Sequence, residues 1–96
     1  MKPPTAYREH RDEILRLAQH HGARRIRVFG SAARGEARAD SDLDLLVELE
    51  EGRSLFDLIG MKQEIEDLLG CRVDVLTESS VSPYIREAVM REAVAL

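Results

Sequence analysis

The chain has 96 residues, 44% of them hydrophobic and 33% charged, a balance that fits one small folded domain spanning residues 1–96 and argues against disorder. Two Tyr, two Phe and no Trp leave no stacking platform for single-stranded nucleic acid. No apolar run approaches the roughly 18 residues of a membrane span, and Met1-Lys2-Pro3-Pro4 lacks the apolar centre of a signal peptide, so the expected location is the cytoplasm.

The formal net charge of −4 hides an asymmetry. Residues 1–39 hold nine Lys/Arg against four Asp/Glu, whereas residues 40–96 hold five against fourteen. A basic first part therefore meets an acidic second part near residue 40. The acidic second part disfavours binding to a nucleic-acid duplex. A single cysteine, Cys71, excludes an intrachain disulfide and stands at the head of an apolar run, where a buried structural thiol is expected.

From Thr5 to about His21 the sequence reads as a helix, with Thr5 as N-cap and Gly22 as the stop. Ile14, Leu15, Leu17 and Ala18 supply its inner face, with Tyr7 and Arg11 on roughly the same side. His20 and His21 fall in the last turn, where cations suit the helix end better than a metal suits adjacent helical positions. Arg24 to Phe29 is the first strand, Ile26 and Val28 facing the core. A polar turn follows at Gly30-Ser31, and Ala32 to Glu36 reads as a short helix opening at that pair, its N–H groups available to an anion.

Asp42 to Glu48 is the second strand. Alternation puts Asp42 and Asp44 on one face and Leu43, Leu45 and Val47 on the other. Ser54 reads as an N-cap with Asp57 in capping-box register. Leu55, Leu58, Ile59, Ile65, Leu68 and Leu69 recur at helical spacing up to Gly70. Arg72 to Leu76 is the third strand, and its Asp74 is unusual within a short apolar run. If this strand lies beside the second, Asp74 joins Asp42 and Asp44. Ser82-Pro83 opens a last helix through about Val94, with Ile85, Ala88, Val89 and Ala93 as its buried stripe. The resulting order is an α/β architecture, helices packed on a small mixed sheet.

Two carboxylates on one strand face repel one another unless a cation lies between them, and a hard divalent ion such as Mg²⁺ suits oxygen ligands. A small-residue turn nearby offers backbone N–H groups and a hydroxyl to phosphate. Metal-assisted phosphate chemistry is the leading expectation.

Gly30-Ser31, a ten-residue spacer and Asp42-Leu43-Asp44 together resemble the nucleotidyltransferase superfamily that includes DNA polymerase beta. The fuller wording, Gly30-Ser31-Ala32-Ala33-Arg34-Gly35 followed by Ser41-Asp42-Leu43-Asp44-Leu45, is similar to the minimal nucleotidyltransferases, the MntA-like antitoxins encoded beside HEPN-domain toxins. The resemblance implies a polymerase beta-like fold and a third carboxylate at Asp74. It implies Asp42, Asp44 and Asp74 as ligands of two Mg²⁺ ions and as catalytic groups, with Gly30, Ser31 and Arg34 holding the nucleotide. Its implied reaction is AMP transfer from ATP, releasing pyrophosphate. The acceptor it implies is a tyrosine hydroxyl of a partner HEPN toxin.

Ninety-six residues leave no room for an acceptor-holding domain, so a second chain is expected to be the substrate or to complete the site. Two alternatives stay open at this point. One is a non-catalytic antitoxin that neutralises by complex formation, and the other a small-molecule nucleotidyltransferase whose sugar pocket a homodimer would supply.

Overall fold

The computed structural model describes residues 7–36 and 42–96. It places a four-stranded mixed sheet between helices, with helix α1 (Arg11–His20), strands β1 (Ala23–Phe29) and β2 (Leu43–Leu49), helix α2 (Leu55–Leu69), strand β3 (Val73–Thr77), a 3₁₀ turn at Glu78–Ser80, helix α3 (Pro83–Glu92) and strand β4 (Val94–Ala95). The sheet order is β3-β2-β1-β4. β1 runs antiparallel to both β2 and β4, and β2 runs parallel to β3. A parallel neighbour needs a long crossover, and α2 provides it.

The main core lies on one face of the sheet. Ile26 and Val28 of β1, Leu43, Leu45 and Val47 of β2 and Val73 of β3 pack there against Ile14 and Ala18 of α1 and Met61, Ile65 and Leu69 of α2. The other face carries a smaller cluster, in which Leu46 meets Val81 and Val89, flanked by Phe29, Leu76, Met90 and Ala93. This second cluster seats α3 on the face that also bears Asp44, since residues two apart on a strand share a face.

β1 contains a bulge that the alternating pattern does not reveal. Arg24 pairs with Glu48 and Arg27 with Leu46, so three steps along β1 match two along β2. Arg25 takes up the extra residue at φ +47°, a left-handed conformation uncommon outside glycine. The physical gain is alignment: Ala23 and Ile26, three apart, are both buried, which unbroken alternation forbids.

α2 begins and ends as its sequence predicts. Ser54 accepts from the Phe56 amide while Asp57 accepts from the Ser54 amide, completing a capping box, and Gly70 closes the helix in the left-handed conformation. Cys71 is buried. Burial pushes its thiol pKa up, with Glu66 and then Asp42 adding to the rise, so it is a structural thiol rather than a nucleophile.

Several expectations need correction. α1 starts at Arg11 with His10 as its N-cap, because Tyr7 turns into the core and the His10 amide bonds back to the Tyr7 carbonyl at 3.3 Å; the expected cap, Thr5, lies outside the described residues. Arg11 is exposed, not on the inner face. Leu55 (68% exposed) and Ile59 (43%) stand in solvent, and Met61 is buried with Ile65 and Leu69 on the inner face instead. In α3 only Val89 is buried; Ile85 and Ala88 are exposed. That helix stops at Glu92, and Val94 enters β4 against Val28 of β1.

Candidate active site

The turn after β1 is built by backbone hydrogen bonds. The Arg34 amide donates to the Gly30 carbonyl at 3.2 Å, Gly35 to Ala32 at 3.3 Å, and Glu36 to Ser31 at 2.9 Å. These mixed spacings make a tight series of turns, not the short helix expected over Ala32–Glu36. Ala32 is buried beneath it and anchors it to the core. Gly30 adopts φ +73°, and a side chain there would collide with the Asp44 carboxylate. Glycine is thus required twice, for its backbone conformation and for the close approach.

Asp44 is delivered to that contact by strand pairing, because Phe29, the residue before Gly30, is its partner across β1 and β2. On its other side Asp44 is paired with Asp74 in the parallel β2–β3 ladder. Asp42 precedes β2 by one residue, and the neighbouring Leu43 amide is tied to the Arg72 carbonyl at 2.9 Å. The start of β3 is fixed in turn by Glu66, whose carboxylate accepts from the Val73 amide at 2.9 Å.

The electrostatics follow from this placement. The Asp44 carboxyl is pushed up to about 6, first by burial, then by the charges of Asp74 and Asp42, with Arg34 pulling the other way. Asp44 and Asp42 are half-buried while Asp74 is exposed. Among the described residues, no three His, Cys, Asp or Glu side chains are gathered tightly enough to hold a metal ion by themselves. The donor set nevertheless fits Mg²⁺: it is all oxygen, and the repulsion focused on Asp44 is what a hard divalent cation relieves.

Arg34 reaches across the site's edge. Its Nε donates to Glu36 at 3.2 Å and its Nη1 to Glu92 at 3.1 Å. These two carboxylates hold its guanidinium pKa above the ordinary arginine value, chiefly through the Glu36 hydrogen bond and then the charge of Glu92. Glu92 was not foreseen from sequence, since nothing local marks a glutamate at the end of an amphipathic helix. Only the docking of α3 and the β4 pairing bring it to the turn. The structure thus brings Gly30, Asp42, Asp44, Asp74 and Arg34 together, with Ser31 beside Gly30 in the same turn.

A groove of about 870 Å³ lies elsewhere, lined by Arg24, Val47, Glu50, Leu55, Thr77 and Arg86 among others. It sits at the opposite end of β2 and β3 from the carboxylates. His21 is likewise remote from them, its Nε2 lying 3.2 Å from Glu64.

Comparison with known proteins identifies the family and the fold. The family described as Nucleotidyltransferase domain matches residues 7–96. The protein adenylyltransferase MntA of Thermococcus cleftensis is 47% identical over 78 residues, 81% of this chain and 79% of its own. A candidate protein adenylyltransferase of Methanocaldococcus jannaschii is 45% identical over 82 residues, covering 85% of this chain and 88% of that protein. Among solved structures, a candidate minimal nucleotidyltransferase superposes with a TM-score of 0.87 at 53% identity, covering 100% of this chain and 97% of that one. A toxin–antitoxin structure containing AMP-PNP has the same fold at a TM-score of 0.74 and 21% identity, covering 88% of this chain and 69% of that one. The chain belongs to the nucleotidyltransferase domain family and has the minimal nucleotidyltransferase fold.

Proposed function

We propose that this chain is a Mg²⁺-dependent adenylyltransferase that transfers AMP from ATP to a tyrosine hydroxyl of a HEPN-domain toxin, and that it serves as that toxin's antitoxin in the cytoplasm. The observation that carries the reading is the convergence of Asp42 and Asp74 on Asp44, itself pressed against Gly30. A surface that only binds a partner has no use for carboxylates that raise one another's energy. Support for the partner comes from relatives of the same fold crystallised as MntA–HepT complexes and from the adenylyltransferase names of the curated relatives.

In this reading Asp42, Asp44 and Asp74 would hold the metal. Mg²⁺, when bound, neutralises phosphate charge and favours the deprotonated acceptor. The Gly30 amide and the Ser31 hydroxyl orient the β and γ phosphates, and the Arg34 guanidinium supplies a forked contact to phosphate oxygens. The tyrosine oxygen forms a bond to the α phosphorus, the bond from that phosphorus to pyrophosphate breaks, and the phenolic proton passes to Asp74, the most solvent-open of the three carboxylates. Pyrophosphate leaves, and the toxin retains AMP.

The test is transfer of α-labelled ATP with Mg²⁺ onto the product of the neighbouring gene, comparing wild type with Asp42→Ala/Asp44→Ala. Label on the partner with wild type alone is the expected result, and mass spectrometry then identifies the acceptor. A stable complex that neutralises without any label would replace catalysis by binding.

A further inference from the structure

We infer that Glu92, at the last residue of α3, is a positioning residue for Arg34 that holds its guanidinium ready for the triphosphate; this rests on the nucleotide-binding reading above. The contact joins two parts of the chain that are 58 residues apart, at 3.1 Å. It cannot be a by-product of local sequence.

Glu92 is fixed from both sides. Before it, Val89 is buried against Leu46, with Met90 alongside in the cluster on the Asp44 face. After it, the Ala93 amide closes the helix on the Val89 carbonyl, Val94 pairs with Val28, and the Leu96 amide donates to the Ile26 carbonyl at 3.0 Å. The backbone that carries Glu92 is therefore held beside the turn by packing and strand pairing, and the side chain reaches Arg34 from that fixed base.

Arg34, by contrast, sits on a turn and carries a long side chain that loses considerable freedom when it is ordered. Glu36 and Glu92 together occupy its Nε and Nη1 edges. Arg34 belongs to the turn whose Gly30 lies against the Asp44 carboxylate, and its charge lowers that carboxyl's proton affinity, so the orientation Glu92 favours keeps the cation on the side of the carboxylates. The pair is partly solvated, with side chains 44% and 39% exposed, and exposed ion pairs are weak enough to be exchanged for a stronger anion. An incoming phosphate meets an arginine already in place, and the ordering cost is met before binding.

The measurement is ATP affinity in the presence of Mg²⁺ by titration calorimetry, on wild type, Glu92→Ala, Glu92→Asp, Arg34→Ala and the Arg34→Ala/Glu92→Ala double variant, each checked for folding by thermal melt. Glu92→Ala is expected to weaken ATP binding roughly two- to fivefold, Glu92→Asp to recover part of the loss, and Glu92→Ala to add nothing once Arg34 is gone. Unchanged or tighter binding by Glu92→Ala overturns the inference, as does an equal loss in the Arg34→Ala background, which would mark a merely structural role. If wild type itself bound no ATP, the nucleotide reading would fail and the inference with it; wild-type binding with no effect at Glu92 removes the inference alone.

Discussion

Asp44 and Asp74 are direct register partners in the parallel pair of β2 and β3, two carboxylates placed side by side with no cation of the chain paired to Asp74 among the described residues. Burial and then the Asp74 charge hold the Asp44 carboxyl at about 6. The free protein thus stores unfavourable energy at the place where chemistry is expected.

Asp44→Asn should abolish transfer yet raise the stability of the free protein. Two pKa units correspond to roughly 3 kcal/mol, and partial solvation reduces this to about 1 kcal/mol, a rise in Tm of about 4–8 °C. The sign follows from linkage: a carboxyl whose pKa rises on folding binds more protons in the native state, so wild-type stability falls as pH rises from about 3.8 to about 6 and then stays low. Melts across pH should show the variant's advantage above that window and its loss below. An advantage that did not vary with pH would assign the effect to something other than Asp44 ionisation.

Mg²⁺ should stabilise wild type against heat and have little effect on Asp44→Asn, because only the native state sets Asp44 beside Asp74. A rise of about 2–5 °C at millimolar Mg²⁺ is expected, reversed by chelator. Equal shifts in both proteins would mean that the ion binds elsewhere.

Gly30→Ala places a methyl group against the Asp44 carboxylate at a left-handed backbone position, and should cost about 1–3 kcal/mol as well as transfer activity. Combining it with Asp44→Ala should return the steric part and leave the conformational part. If the double variant were no more stable than the sum of the singles implies, the collision would not be the cause.

Ser54→Ala removes the α2 cap far from the carboxylates. Chemical denaturation should show a loss of about 1 kcal/mol, while transfer stays at the wild-type rate at temperatures where the protein remains folded.

What the sequence determined by itself is whatever is encoded over short distances. The Ser54 capping box, the Gly70 stop, the Ser82-Pro83 helix start and the alternation through Leu43, Asp44 and Leu45 all emerge as read, because caps and strand periodicity act between residues a few positions apart. The motif from Gly30 to Asp44 was legible for the same reason, as a strand end, a turn and a strand start. Asp74 could be singled out as an acid in an apolar strand, but its place opposite Asp44 was conditional on sheet order.

Tertiary structure decided the rest. Periodicity draws a helix's apolar stripe without saying how much of it a sheet will cover, so Leu55, Ile59 and Ile85 were assigned inward and stand exposed. The Arg25 bulge exists because Ala23 and Ile26 must share one core face. Val94 joins a strand rather than a helix because β1 has an open edge to pair. Glu92 meets Arg34 through that same edge pairing and the packing of Val89 on Leu46, contacts between residues tens of positions apart that carry no local signature.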